Sequence, residues 1–259
     1  MMTLLKRLYD KSAVLFAVLW IVAYCVLMSA GDMLSGLVGV EKSLTLPIAL
    51  LMSIVLFLFL YKKRLLKDYG FGRPTKAHGT MLFYIPLLLM LGTNLIYGVT
   101  LNYSVIETVL YILTMLAVGF LEEVIFRGLL FEAMRKDSLK AAVVVSSVTF
   151  GIGHIINLIN GSGAELLPNL LQVVYATAAG FMFVMIYLRS GSIFPCIIAH
   201  GVFNALSAFS AEAQGSKITV ISAVALTVIT GSYAIYLMLF VRDEREEGDA
   251  DNGIDEELS

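Results

Sequence analysis

The chain has 259 residues, of which 59% are hydrophobic and 15% charged, and its mean hydropathy is +0.86. A soluble domain is about half apolar and about a quarter charged, so this composition excludes an ordinary water-soluble fold and favours a chain folded in a bilayer. The formal net charge of -2 hides an asymmetry, because basic residues lie between the apolar runs and acidic residues lie at the C-terminus. No nucleic-acid partner is expected. Acidic residues concentrate in 242–259, which predicts a disordered tail.

Eight apolar runs are long enough, or nearly so, for a spanning helix of about 20 residues. The runs are continuous rather than alternating, which favours helices over a β-barrel. In chain order they are 13–30, 44–61, 80–99, 105–121 (continuing to about 134), 139–159, 169–188, 193–209 and 218–241. The sequence therefore predicts an all-α, polytopic membrane bundle of about eight helices, a single domain over 1–241, and the acidic tail 242–259.

Basic residues orient this bundle, because Lys and Arg concentrate in cytoplasmic loops. With both termini in the cytoplasm, fifteen of the 18 Lys and Arg residues are cytoplasmic. Lys42 and Lys217 are then outside, and Arg127 lies within a span. We expect an integral, multi-pass protein of the cell membrane if the source is prokaryotic, or of the endoplasmic reticulum membrane if it is eukaryotic.

The fourth run carries charges where a bilayer makes them costly, which indicates function. Glu123 and Arg127 are four residues apart, so on a helix they share a face and form a pair. Glu122 points about 100° away and is predicted to face a cavity. An alternative is that the helix ends near Leu121 and these charges are interfacial.

Two further runs carry histidines. His154 follows Phe150, Gly151 and Gly153 in the fifth run, and His200 shares a helix face with Asn204 in the seventh. The depth of Glu122, about 18 Å from the nearer cytoplasmic end, is compatible with the depths of both histidines and favours access from the cytoplasmic half. The sequence predicts that these residues form one site.

Two kinds of hydrolysis suit such a site. In one, Glu122 is a general base for water, while His and Asn side chains stabilise an oxyanion. In the other, Glu122, His154 and His200 bind Zn²⁺ and leave a fourth position for water. A Cys/His pair of Cys196 and His200 is geometrically possible and weakly supported.

The three segments resemble the CPBP family, the CaaX-type proteases and bacteriocin-processing enzymes also called Abi. The family motifs are Glu-Glu-x-x-x-Arg, Phe-x-x-x-His and His-x-x-x-Asn, and the chain has all three in order within about 120–205. The resemblance implies an intramembrane endopeptidase in which Glu122 activates water and His154, His200 and Asn204 complete the site. It implies a catalytic set of Glu122, Glu123, Arg127, His154, His200 and Asn204.

The substrate expected from the resemblance is a peptide or protein at the membrane, either lipidated and CaaX-like or of bacteriocin or pheromone type. Membrane lipid is the other expected partner. Zinc remains an open cofactor, since both metal-dependent and metal-free mechanisms are proposed for the family. Two other functions are retained: a non-catalytic immunity or peptide-binding membrane protein, and an ion-coupled transporter, which the absence of an evident internal repeat disfavours.

Overall fold

The computed structural model describes residues 2–158, 160, 165–211 and 216–241, and the predicted tail at 242–259 lies outside them. Within these residues, seven helical segments are long and apolar enough to cross a membrane. They are Ala13–Val38, Thr45–Lys63, His78–Leu95, Val105–Arg135, Leu139–Leu158, Leu166–Ser190 and Lys217–Phe240, and a shorter apolar helix covers Phe194–Phe209. The prediction of a polytopic helix bundle is confirmed, and each predicted run corresponds to one of these segments.

Ten α-helices are present in the described residues. They are α1 Met2–Lys11, α2 Ala13–Val38, α3 Thr45–Lys63, α4 Ile85–Gly92, α5 Val105–Glu123, α6 Glu132–Arg135, α7 Leu139–Gly153, α8 Leu166–Ser190, α9 Phe194–Leu206 and α10 Ser216–Phe240. Helix α5 packs mainly on α9, and α8 packs on both α7 and α10. This arrangement places the three motif-bearing segments side by side.

The third predicted span is not a regular helix. Leu82, Phe83 and Tyr84 have positive φ angles, so the α-helix is confined to Ile85–Gly92 and begins with Pro86 in its first turn. Proline suits that position because the first helical N–H groups have no partner within the helix. The hydropathy of 80–99 predicts the length of the segment correctly but carries no information on its backbone.

The fourth span continues without interruption through the charged motif. Residues Val124–Phe131 form a π-helix between α5 and α6, and all eight of them are buried. The alternative that the helix ends near Leu121 with interfacial charges is therefore wrong. Single π-helical turns occur often at functional sites, because the inserted residue shifts the register of the side chains that follow.

Small residues allow the helices that carry the motifs to approach closely. A Cβ atom on Gly119 of α5 would lie 2.6 Å from the backbone of Gly201 on α9, and one on Gly180 of α8 would lie 2.8 Å from the carbonyl oxygen of Ser147 on α7. Backbones this close exclude any side chain at the two glycines. The glycines therefore fix α9 against α5 and α8 against α7.

The two ends of the bundle are held by different loops. At one end, the N–H of Glu41 donates to Glu107 (3.0 Å), so the loop after α2 contacts the start of α5. We call this the Lys42 end. At the other end, which we call the Arg135 end, the N–H of Thr75 donates to the carbonyl oxygen of Ser190 (2.9 Å), which joins the loop after α3 to the end of α8.

Candidate active site

Glu123 and Arg127 form the ion pair that their spacing predicts. Arg127 Nη1 lies 3.1 Å from Glu123 Oε1, and both side chains are fully buried. The guanidinium carbon stacks 4.3 Å from the centroid of the Phe150 ring, and Nη2 donates to the carbonyl oxygen of Gly180 (3.3 Å). A buried charge is stable only when it is paired, so this pair compensates itself without recruiting Glu122.

His200 is held between the two glutamates. Its Nδ1 lies 2.7 Å from Glu123 Oε1, the same oxygen that Arg127 contacts, and its Nε2 lies 3.5 Å from Glu122 Oε2. The imidazole stacks on Phe183, with ring centroids 5.4 Å apart. A hydrogen bond at one ring nitrogen fixes the orientation of the other, so Glu123 directs Nε2 towards Glu122.

Glu122 has one oxygen engaged and one available. The hydroxyl of Tyr24, on α2, donates to Glu122 Oε1 at 2.5 Å. Glu122 Oε2 is buried and has no hydrogen-bond partner in the structure. The side chain is 12% exposed, whereas that of its neighbour Glu123 is fully buried. The predicted division between the two glutamates is therefore present: Glu123 is engaged in the ion pair, and Glu122 faces a cavity.

His154 directly follows the last residue of α7 and faces the same cavity. Its Nδ1 lies 3.1 Å from the carbonyl oxygen of Phe150, and a carbonyl only accepts, so Nδ1 carries the proton. Its own carbonyl oxygen accepts from the side-chain amide of Asn169 (2.9 Å), which anchors the residue to α8. Nε2 is consequently the ring nitrogen left to act on a bound molecule.

Two adjoining cavities connect the predicted site residues. The larger, of about 370 Å³, is lined by Glu122, His154 and Asn204, together with Tyr24. The smaller, of about 50 Å³, is lined by His200 and again by His154 and Asn204. Residues from α2, α5, α7 and α9 thus converge on a common space that is large enough for several ordered waters or a short peptide segment.

Two other potential nucleophiles, Ser146 and Cys196, are engaged elsewhere. The Ser146 hydroxyl donates to the carbonyl oxygen of Phe126 (2.8 Å), and the Cys196 thiol donates to that of Phe183 (3.3 Å). The structure gives Cys196 no hydrogen bond to His200, so the geometrically possible Cys/His pair is not formed. Neither side chain lines the two cavities.

The predicted zinc ligands do not assemble as a set. No three His, Cys, Asp or Glu side chains are grouped as metal ligands in the described part of the chain. Glu122 and His200 face each other, but His154 does not join them as a third ligand. The positions of Glu122, His154 and His200 therefore do not fit a zinc site with three protein ligands.

The sequence identified six of the residues that meet here, and the structure brings Glu122, Glu123, Arg127, His154, His200 and Asn204 into one region. The predicted catalytic set does not include three further contributors, which are Tyr24, Phe150 and Phe183. Tyr24 is 98 residues from Glu122 in the chain, and a tyrosine inside an apolar run gives no distinguishing signal. Phe150 stands in the sequence only as a motif position, and Phe183 lies outside every motif, although both rings enclose Arg127 and His200.

Comparison with known families finds one similarity over the segment that carries this site. The family model described as type II CAAX prenyl endopeptidase, Rce1-like, matches residues 104–206, a segment that contains all three motifs. Comparison with curated proteins and with solved structures finds no match. The match confirms the resemblance to the CPBP and CaaX-protease group, and it implies a protease in a multi-pass membrane bundle. Residues 104–206 of the chain are thus similar to the Rce1-like family of type II CAAX prenyl endopeptidases.

Proposed function

We propose that this protein is an intramembrane endopeptidase that hydrolyses a peptide bond of a membrane-associated substrate with a water activated by Glu122. The observation that carries the proposal is the buried Glu122 Oε2 at the wall of the larger cavity, which makes no hydrogen bond and lies 3.5 Å from His200 Nε2. A carboxylate oxygen removed from bulk water and left without a donor is suited to accept a proton from a bound water. The Rce1-like match supports the same class of reaction.

The proposed reaction begins with a water between Glu122 Oε2 and the scissile carbonyl. Glu122 takes one proton as the water oxygen bonds to the carbonyl carbon, which gives a tetrahedral oxyanion. Glu122 then delivers that proton to the leaving amide nitrogen, and the carbon–nitrogen bond breaks. The products are a carboxylic acid and an amine, and the glutamate returns to its ionised form.

Asn204, His154 and His200 are proposed to stabilise the tetrahedral state. The side-chain amide of Asn204 is a potential donor at the cavity wall, on a helix that also carries His200, and donors aimed at an oxyanion contribute about 3–4 kcal/mol. His200 is proposed to orient the water through Nε2, which lies 3.5 Å from Glu122 Oε2. His154 is proposed to act at the opposite wall through Nε2.

Glu123, Arg127 and Tyr24 are proposed as positioning residues. Glu123 holds the imidazole of His200 through Nδ1 (2.7 Å), and Arg127 neutralises the charge of Glu123 (3.1 Å). Tyr24 holds one oxygen of Glu122 and so directs the other into the cavity. Packing of Phe150 and Phe183 around these groups keeps the arrangement rigid, which is a requirement for preorganised donors.

The substrate class proposed first is a lipidated, CaaX-like peptide, because the matched family is described by that activity. A bacteriocin- or pheromone-type peptide of the Abi branch is the second. The test uses purified protein in liposomes with a farnesylated CaaX peptide and the same peptide without the prenyl group, and mass spectrometry identifies the products. Release of the last three residues from the farnesylated peptide alone is the expected result.

Other outcomes separate the remaining proposals. Cleavage of both peptides at equal rates would support an intramembrane peptidase that does not recognise the lipid. Binding of either peptide without any cleavage would overturn the proposed reaction and favour the non-catalytic immunity or peptide-binding function. The proposed reaction uses no zinc, since the described residues hold no three-ligand group, and chelation tests this part of the proposal separately.

A further inference from the structure

The larger cavity extends from Glu122 towards one end of the bundle. Its lining includes Asp32 in the last two turns of α2, Thr45 at the first residue of α3, and Ser207 just after α9. Gln172, near the start of α8, lies on the same side. All of these positions are at the Lys42 end.

Towards the Arg135 end, the space beyond Glu122 is filled by packed side chains. Every residue of Val124–Phe131, between the site and the Arg135 end, is buried, and Phe126 is the lining residue furthest along this segment. Phe131 also packs edge-on against Tyr187, with ring centroids 5.8 Å apart. A substrate approaching from the Arg135 end would have to displace this packed layer, which protein interiors resist.

The two ends differ sharply in charge. Among the described residues, thirteen Lys and Arg side chains lie at the Arg135 end or in the segments that continue it, while Lys42 and Lys217 lie at the other. Lys and Arg concentrate on the cytoplasmic side of membrane proteins. The thirteen are Lys6, Arg7, Lys11, Lys62, Lys63, Arg64, Lys67, Arg73, Lys76, Arg135, Lys136, Lys140 and Arg189.

Lys42 does not offset this difference. Its ammonium lies 2.8 Å from Asp32 and 3.3 Å from Glu41. Burial opposes the charged form, but the two carboxylates outweigh it and raise the pKa of Lys42. The ammonium is therefore held in its charged form between two carboxylates, and this group of three carries no excess positive charge.

We propose that the cavity opens on the non-cytoplasmic face of the membrane, so that the bond cleaved at Glu122 is presented from that side. The proposal rests on the proposed function only where it names the occupant a substrate; the direction of opening does not depend on catalysis. Of the two proposed substrate classes, this direction favours the bacteriocin- or pheromone-type peptide over a CaaX peptide, which is prenylated on the cytoplasmic side. It reverses the sequence expectation of access from the cytoplasmic half. That expectation was based on depth along the helices, which does not show where side chains fill the space.

Single-cysteine labelling tests the direction of opening. Both native cysteines are replaced by alanine, and one cysteine is introduced at Ser29 in the cavity, at Lys217 on the Lys42 end, or at Ala77 on the Arg135 end. Lys217 and Ala77 are exposed and report which face each end occupies. Each variant is treated with a charged, membrane-impermeant maleimide in right-side-out and in inverted vesicles.

The expected result is labelling of S29C and K217C in right-side-out vesicles and of A77C in inverted vesicles. Labelling of S29C from the cytoplasmic side, with or without inversion of the two end reporters, would overturn the proposal. Protection of S29C on both sides while K217C is labelled from outside would show that the cavity is closed at this end, and would also overturn it. Because no outcome requires cleavage, failure here is distinguishable from failure of the proposed reaction.

Discussion

The hydroxyl of Tyr24 on α2 donates a 2.5 Å hydrogen bond to Glu122 Oε1 at the end of α5, across 98 residues of chain. Helix α2 packs against the π-helical segment that follows Glu122, so this contact is supported by the fold around it. The hydrogen bond occupies one carboxylate oxygen and leaves Oε2 buried without a partner. A residue outside every motif thereby determines which oxygen of Glu122 faces the cavity.

Replacement of Tyr24 by phenylalanine is expected to lower kcat by about tenfold to a hundredfold with little change in KM. A hydrogen bond to a charged group contributes about 1.5–3 kcal/mol, and each 1.4 kcal/mol is about a factor of ten in rate. Y9F is the matched control, because Tyr9 makes its own hydroxyl contact with Tyr69 (2.8 Å) outside the cavities. Steady-state kinetics with the cleaved peptide measure both variants, and equal rates for Y24F and wild type would contradict the positioning role.

The two adjacent glutamates are expected to differ in their effect on stability. E123Q leaves Arg127 as an uncompensated buried charge, and breaking such a pair costs about 3–5 kcal/mol. E122Q keeps a hydrogen-bond acceptor for Tyr24 and leaves the buried pair of Glu123 and Arg127 in place, and the contact that it alters, with His200 Nε2, is 3.5 Å long. Its free energy of unfolding is therefore expected to stay close to that of wild type. Denaturation in detergent micelles compares the two, and equal destabilisation would refute the proposed division between Glu122 and Glu123.

The contact of α5 with α9 is expected to tolerate no side chain at Gly119. A Cβ there lies 2.6 Å from the Gly201 backbone, so G119A forces the helices apart, and overpacking of this kind costs about 1–3 kcal/mol. G231A is the control, because an added Cβ on α10 meets nothing within 4 Å. Thermal unfolding should show a lower Tm for G119A and an unchanged or higher Tm for G231A; the reverse order would contradict the described packing.

Metal removal is expected to leave cleavage intact, because no three potential ligands are grouped in the described residues. The experiment measures zinc content by mass spectrometry together with peptidase activity, before and after dialysis against a chelator. Stoichiometric zinc that is lost together with activity, and restored together with it, would contradict the metal-free mechanism. H154A and H200A variants would then show which side chains hold the ion.

The sequence predicts local relationships well in this protein and distant ones poorly. The pairing of Glu123 with Arg127 follows from helical spacing alone. The same spacing places His200 and Asn204 on one face of their helix. The contact of His200 with Glu123 joins residues 77 apart, and no pattern in the chain specifies it. It depends on how α9 seats against α5, which the small residues allow but hydropathy does not encode.

The sequence also does not predict the backbone conformation within the spans. Hydropathy gave the extent of the fourth span but not its π-helical turn, which changes the register of every side chain after Glu123. The left-handed residues Leu82–Tyr84 interrupt a run whose composition is typical of a continuous helix. Their consequence is visible only in three dimensions, where the hydroxyl of Tyr233 donates to the carbonyl oxygen of Met81 (2.7 Å) beside the break.

The measurement that tests the central claim most directly is the cleavage rate of E122Q beside wild type and E165Q in the same liposomes. Glu165 is an exposed carboxylate outside both cavities, so E165Q makes the same chemical change away from the site. The account predicts a loss of about a hundredfold or more for E122Q, the contribution of a general base, and wild-type activity for E165Q. An E122Q protein that is folded, inserted and as active as wild type would contradict it.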